Sequence, residues 1–277
     1  MRKEKVKTRF APTPSGFLHQ GNGFNFILTS LLTQSAKGSI HLRIDDYDTT
    51  RCRDEYIQDI FETLNWLELK WDTGPRNLIE FKKFYSSKLR IKQFQQYLYK
   101  IRKKFICECS RKDLLSESGN NKYPGTCYLK DLHYQPHLNS IKFKSRDKND
   151  FILWTKDNHP SYQLASLVDD VELGINLIVR GSDLKQSTQF QLQLAQELNL
   201  KTFEEVYFFH HDLVVDDKKD KLSKSQDSKS LKQRRESGMP KEEFYKEFNL
   251  FFNLNILGVP TLEKMKMALL KTSYKLI

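Results

Sequence analysis

No run of about 18 apolar residues occurs in this sequence, so no membrane-spanning helix is expected. The opening residues, Met1-Arg-Lys-Glu-Lys5, lack the apolar stretch of a secretory signal. A cytoplasmic location is the expectation that follows. Cysteine is scarce, at 4 of 277 residues. Three of the four (Cys107, Cys109 and Cys127) are clustered, which in a cytosolic chain points to a metal before a disulfide. Neither a Gly-rich run ending in Gly-Lys-Ser/Thr nor a Gly-x-Gly-x-x-Gly element occurs, which excludes a P-loop and a dinucleotide fingerprint. There is no internal repeat. Acidic charge is also short, with 35 Asp and Glu against 46 Lys and Arg, a net +11. That excess suits an anionic partner such as nucleic acid, or else a solvated lysine-rich face.

What remains is a globular composition, 38% apolar and 29% charged. At this length one large or two modest domains fit. Residues 6–11 read as a strand that ends in the loop Pro12-Thr-Pro-Ser-Gly16. Phe24, Ile27, Leu28, Leu31 and Leu32 then recur at helical spacing. Gly38 stops that helix, and residues 39–44 read as a second strand. Tyr56, Ile57, Ile60, Phe61, Leu64 and Leu67 mark another amphipathic helix. Strand, helix, strand, helix implies an α/β domain with a parallel sheet.

The texture changes near Phe81. A basic, aromatic helix is expected over residues 84–103, leading into the cysteines, and residues 133–150 have no firm helical period. Residues 82–155 therefore read as an insertion. Helix-plus-strand character returns over 162–170 and 174–181, with a helix over 187–198. Residues 216–230 form a highly charged loop, and 241–277 read as helical without a recognisable site.

Three segments carry chemistry. The first is Arg9-Phe-Ala-Pro-Thr-Pro-Ser-Gly-Phe-Leu-His-Gln-Gly-Asn22, where a strand ends and a helix begins near Gly21. A helix N-terminus offers unpaired N–H groups and positive dipole, which suits phosphate. Gly21 and Gly23 permit close backbone approach, and His19 can hydrogen-bond a phosphate or ribose oxygen. The competing reading is a Pro-rich turn with a surface histidine. The second segment is Lys221-Leu-Ser-Lys-Ser225, whose cations and hydroxyls can clamp a polyphosphate. The third is Cys107-Glu-Cys109 followed by Tyr123-Pro-Gly-Thr-Cys127. Three thiolates on a short insert make a good start for a structural Zn²⁺, which wants four ligands. From the residues alone, the fourth is Tyr123, His133 or His137, with imidazole the commoner choice; three free thiols without metal are the alternative.

Together these motifs resemble class I aminoacyl-tRNA synthetases. His19-Gln-Gly-Asn22 is similar to their His-Ile-Gly-His element, and Lys221-Leu-Ser-Lys-Ser225 to their Lys-Met-Ser-Lys-Ser element. The Arg9–Gly16 segment and Leu42-Arg-Ile-Asp-Asp-Tyr-Asp48 resemble the glutamate branch, as do Tyr162-Gln-Leu-Ala165 and Val179-Arg-Gly-Ser-Asp183. The resemblance implies a Rossmann-type catalytic core in two halves, residues 1–81 and 156–215. The zinc-bearing insertion would occupy 82–155, and the lysine–serine loop with a short helical C-terminal region 216–277. It implies ATP with Mg²⁺, L-glutamate and tRNA as partners, and a monomer. His19, Lys221 and Lys224 would be catalytic; Pro12, His19, Gly21, Asn22 and Lys224 would hold ATP. Glutamate would be held by Arg9, Phe10, Ala11, Pro12, Thr13, Tyr162 and Arg180, with Asp45 at its ammonium. A structural salt bridge from Arg180 to Asp169, Asp170 or Asp183 is the alternative for that residue, and a solvated or capping role is the alternative for Asp45.

The chain departs from the pattern at Asp45, where the family usually has Glu. Thr13 for Ser and Leu222 for Met are milder changes. Cys-x-Cys followed by Tyr-x-x-x-Cys resembles one subgroup, the glutamyl-queuosine tRNA(Asp) synthetases, and implies Tyr123 as the fourth zinc ligand. Only about 50 residues follow Ser225, which agrees with that subgroup's lack of an anticodon-binding domain. The expected reaction is glutamylation of the queuosine base in the anticodon arm of tRNA(Asp). The alternatives are a conventional glutamate–tRNA ligase core and a catalytically inactive synthetase-like tRNA-binding protein.

Overall fold

Residues 6–44 fold as the hydrophobic periodicity requires: β1 (Lys7–Phe10), α1 (Gln20–Ser35) and β2 (Ser39–Leu42). In this computed structural model the described residues are 5–110, 112–113, 123, 125–147, 149–214 and 230–272. The next elements are α2 (Asp54–Trp66), a single turn α3 (Leu78–Glu80), α4 (Ile91–Lys100), β3 (Lys104–Cys107), β4 (Ser140–Phe143) and β5 (Phe151–Trp154). They are followed by α5 (Tyr162–Glu172), β6 (Leu177–Gly181), α6 (Lys185–Glu197), α7 (Lys201–Glu204) and β7 (Tyr207–His211). The last three are α8 (Leu231–Glu236), α9 (Lys241–Phe251) and α10 (Leu262–Leu269).

The chain divides into two compact units. One comprises residues 1–86, 175–185 and 206–277, the other 87–174 and 186–205. In the first, β1 pairs with β2 and β6 with β7, both parallel. Asn176 joins the pairs: its N–H donates to the Lys7 carbonyl at 3.0 Å, and its Oδ1 accepts from the Lys7 N–H at 2.8 Å. Parallel strands buried on both faces read as near-continuous apolar runs, and Leu177, Ile178 and Val179 are all buried.

The C-terminal helices complete this core. Phe24 of α1 meets Phe244, Phe248 and Phe251 at ring-centroid distances of 5.2, 5.5 and 5.4 Å. Phe24, Phe244 and Phe248 are buried, and each such ring stabilises the fold by about 1.5–3 kcal/mol, while Phe251 is partly buried. A β-carbon at Gly23 would lie 2.7 Å from Phe244 Cζ. The close approach at Gly23 is therefore α9 packing on α1, not backbone presented to a ligand. The Arg235 guanidinium donates to Asp59 at 3.1 Å and to Glu62 at 2.6 Å, fixing α8 to α2.

The second unit holds an antiparallel sheet in the order β3-β4-β5. Arg90 grips Asp169 through two hydrogen bonds of 2.9 Å, and Tyr97 donates to Glu172 at 2.6 Å, so α4 is held to α5. The helix expected over 84–103 is shorter. Residues 81–85 form a wide turn and 87–90 a tight one, and Ser86 between them is extended (φ −56°, ψ 140°). The Ser86 hydroxyl donates to Asp46 at 2.6 Å, which stabilises that break.

Candidate active site and cysteine cluster

In open α/β sheets, ligands gather beyond the carboxyl ends of the strands. The first unit places its chemistry-bearing residues there. Arg9 and Phe10 end β1, and the ladder continues past it: the Arg43 N–H donates to the Phe10 carbonyl, and the Asp45 N–H to the Pro12 carbonyl, each at 2.9 Å. Arg180 and Gly181 end β6, and His211 ends β7. Thus Arg9, Phe10, Ala11, Pro12 and Asp45 share one sheet edge, with Arg180 on a strand of the same unit. Arg9 and Arg180 are both buried, and the Arg180 guanidinium lies 5.0 Å from the centre of the Phe208 ring. Of the acids considered for Arg180, Asp169 is taken by Arg90. Thr13 is exposed, and Tyr162 opens α5 in the second unit.

Asp45 is neither solvated nor a cap. It is 1% exposed, and its two oxygens accept from Arg43 Nε at 2.6 Å and Nη2 at 3.1 Å. The Tyr47 hydroxyl adds a third bond at 3.2 Å. Positions two apart on extended chain face the same side, so Arg43 was findable from sequence as a partner of Asp45.

His19 is the N-cap of α1, with φ −108° and ψ 173°. Its N–H donates to Asn22 Oδ1 at 3.0 Å, so Asn22 closes a capping box. A β-carbon at Gly21 would sit 3.1 Å from His19 Cε1. Any larger residue at Gly21 would press on the imidazole, which lies across it, and would require His19 to shift by a few tenths of an ångström. Two contacts bring other parts of the chain to this turn. The Leu231 N–H donates to the Leu18 carbonyl at 2.7 Å, and a β-carbon at Gly21 would lie 3.9 Å from Val214 Cγ2. Lys221, Lys224 and the rest of that motif lie outside the described residues, but the residues flanking them, Val214 and Ser230-Leu231, converge on the His19 turn.

Sequence reading missed Asn25 and His211. Asn25 Nδ2 donates to the Val179 carbonyl at 3.2 Å and lies 3.0 Å from His211 Nε2, while His211 Nδ1 lies 2.8 Å from the Asp212 carbonyl. The ring is thus neutral, donating through Nδ1 and accepting at Nε2. The apolar run Val206-Tyr-Phe-Phe209 before two histidines was the available signal. Burial pushes the His211 pKa down, against the pull of the Asp212 carbonyl and Asp183. The unfolded chain then binds more protons as pH falls through the ordinary histidine range, so stability is lost below about pH 6.5. The thermal midpoint should fall between pH 7 and pH 5, and less steeply in His211→Gln. Parallel curves for the two proteins would contradict this.

The third segment forms a separate centre in the second unit. β3 ends at Cys107, whose neighbour across the ladder is Ser140 on β4. Sγ atoms of Cys107, Cys109 and Cys127 lie within 4.8 Å of one another, and those of Cys109 and Cys127 are 3.5 Å apart. Tetrahedral thiolates on zinc stand about 3.8 Å apart, given a Zn–S bond of about 2.3 Å. The donor set therefore fits a structural zinc. Tyr123 is buried among these sulfurs, its hydroxyl accepting from the Cys127 N–H at 2.7 Å. His133 and His137 are exposed, and neither joins the cysteine group among the described residues. Lys142 is buried with its Nζ 4.4 Å from the centre of the Tyr123 ring. Burial pushes the Cys107 thiol up to about 11, with the Lys142 ammonium pulling the other way. A cation here offsets the negative charge that three thiolates leave on a divalent metal.

The sequence matches the tRNA synthetases class I (E and Q), catalytic domain, over residues 5–128 and 125–258. The chain belongs to this family. It is 33% identical to the glutamyl-Q tRNA(Asp) synthetase of Prochlorococcus marinus (strain MIT 9303), over 86% of this chain and 79% of that protein. It is 28% identical to glutamate–tRNA ligase 1 of Syntrophus aciditrophicus, covering 85% of this chain and 53% of that one. Glutamate–tRNA ligase 2 of Nitrosococcus oceani is 30% identical, with 86% and 57% covered. The chain thus spans about half the length of these ligases. Among solved structures, a glutamate–tRNA synthetase from Elizabethkingia anophelis superimposes with a TM-score of 0.66 at 19% identity, covering 95% of this chain and 65% of that one. That likeness concerns the fold: a class I synthetase catalytic core with parallel strand pairs.

Proposed function

We propose that this chain activates glutamate with ATP and transfers it to the queuosine base of tRNA(Asp). The observation that carries the activation step is the convergence of Val214 and Leu231 on the His19 turn. Lys224 lies six residues before Ser230, a span of at most about 22 Å, so the reading needs no more than that reach for its ammonium to meet phosphate at the start of α1. In the proposed reaction the glutamate carboxylate attacks the α-phosphorus of ATP and pyrophosphate leaves. Lys224, assisted by Lys221, neutralises charge on the leaving group, while His19 and the start of α1 orient the phosphates. A Mg²⁺ ion would share the triphosphate charge. Arg9 and Arg180 receive substrate carboxylate, since a guanidinium fork binds both oxygens at once. Because Asp45 is short and already engaged by Arg43, a bridging water links it to the substrate ammonium. Lys224→Ala should slow ATP–pyrophosphate exchange by about tenfold or more, at least about 1.4 kcal/mol of transition-state stabilisation. Unchanged exchange would remove Lys224 from the mechanism.

The choice of acceptor rests on Tyr123 lying among Cys107, Cys109 and Cys127, in keeping with the zinc motif of the glutamyl-queuosine subgroup, and on the 33% identity to a glutamyl-Q tRNA(Asp) synthetase. The cyclopentene diol of queuosine presents two neighbouring hydroxyls, much as a terminal ribose does. The names of the ligase relatives favour a second reading, esterification of the tRNA 3′ end. Labelled glutamate supplied with tRNA that has or lacks queuosine separates the two. Label in the anticodon loop, absent without queuosine, supports the proposal; label at the 3′ end overturns it.

A further inference from the structure

From Phe81 through Ile106 the chain contains no Asp or Glu, yet it carries seven lysines and two arginines. The structure sorts these cations by direction. Arg90 faces inward and is paired with Asp169, and Lys103 pairs with Glu197 at 2.8 Å. Lys92 and Lys100 are exposed on α4, and with Gln95, Gln96 and Tyr99 they line one open surface hollow. Lys92, Gln95, Gln96 and Tyr99 fall at i, i+3, i+4 and i+7, a single helix face. The opposite face is already spent: Phe94 and Leu98 are buried, and Tyr97 is bonded to Glu172.

Tyr99 is 86% exposed. A large aromatic ring exposed to water in the same hollow as Lys92 and Lys100 buries little surface in the fold, but it is a stacking platform. Cations that follow a backbone and an aromatic that takes an unstacked base are the elements of single-stranded nucleic-acid binding. Glutamine amides add donors and acceptors that do not depend on charge. An acidic protein partner would meet the lysines but would leave the stacking ring and the amide pair without a role.

We propose that the outer face of α4, made by Lys92, Gln95, Gln96, Tyr99 and Lys100, is a docking surface for an RNA strand. It rests on the reading of this chain as a tRNA-using enzyme, because the strand is taken to belong to that tRNA. The lysines contact phosphates, and Tyr99 stacks on a base that is out of the helical stack.

The test is direct binding of tRNA by the whole chain, without ATP, over a range of salt concentrations. Lys92→Glu/Lys100→Glu should weaken binding about tenfold or more. It should also flatten the dependence of log affinity on log salt by about 1.4–1.8, two phosphate contacts at about 0.7–0.9 each. Tyr99→Ala should weaken binding by about fivefold or more with the salt slope retained, and Lys92→Arg/Lys100→Arg should bind as the parent does. Glutamate-dependent ATP–pyrophosphate exchange, measured in parallel, should be unaltered in all three variants. Unchanged tRNA affinity and salt slope in the double glutamate variant would overturn the proposal. So would parent protein that binds phosphatidylserine vesicles as tightly as tRNA and loses that binding in the same variant. Absence of exchange in the parent, with the tRNA effects intact, would instead count against the synthetase reading and leave this surface standing.

Discussion

Replacing Arg43 by alanine is expected to destabilise the protein by about 3–5 kcal/mol, the cost of leaving a buried charge unpaired. Arg43 and Asp45 are 4% and 1% exposed, and two hydrogen bonds join them. The Tyr47 hydroxyl also donates to this carboxylate, but a neutral hydroxyl does not replace the guanidinium's charge. For a domain of this size the loss corresponds to roughly 6–20 °C in thermal midpoint. The double variant Arg43→Met/Asp45→Leu removes both charges, and much of the lost stability should return, because a buried pair adds little over apolar packing. The pairing would then be there for position: it fixes the Asp45 carboxylate at the carboxyl end of the β1–β2 ladder. Equal midpoints for the parent and Arg43→Ala would contradict the pairing.

The second large effect concerns the cysteine cluster. Among the described residues its apolar support is slight, with Cys107, Tyr123 and Cys127 as its buried members and Phe105, Cys109, Tyr128 and Leu132 partly covering them. So small a core needs a staple, and structural zinc in peptides of similar size is worth about 10–16 kcal/mol of apparent binding energy. Purified protein should therefore carry about one zinc per chain. Chelation, or Cys127→Ser, should remove the metal and expose this part of the second unit to proteolysis while leaving the first unit folded. Metal analysis that finds no zinc under non-chelating conditions would leave the cluster as three free thiols. Tyr123→Phe separates the candidates for fourth ligand: weakened zinc retention supports the phenol, and unchanged retention assigns it no part.

Much of the fold was legible because its elements are local. The 3.6-residue spacing of Phe24, Ile27, Leu28 and Leu31 gave α1, and short apolar runs beside Gly38 and Gly181 gave β2 and β6. The strand β4 was not legible. Ser140-Ile-Lys-Phe143 alternates polar and apolar residues, but over only four positions, and its lysine is buried rather than solvent-facing. α4 was overextended because lysine and aromatic residues on both sides of Ser86 keep a helical texture, while the break depends on Asp46, 40 positions away. Long-range pairings were also hidden at the candidate site. Nothing local connects Asn25 with His211, or Gly23 with Phe244. The role of α9 and α10 as core of the first unit depends on contacts made across more than 200 residues, aromatic for α9 and through Met265 and Leu269 for α10. Arg43 was the exception, legible from strand alternation yet overlooked beside the more suggestive acidic run that follows it.

If the His19 turn and the lysine–serine segment serve glutamate activation, ATP–pyrophosphate exchange should show it, run with glutamate, glutamine and aspartate in turn and with tRNA present. Exchange with glutamate, abolished or strongly reduced in Lys224→Ala, is the expected result. Exchange with glutamine or aspartate in preference to glutamate, or with none of the three, would contradict it.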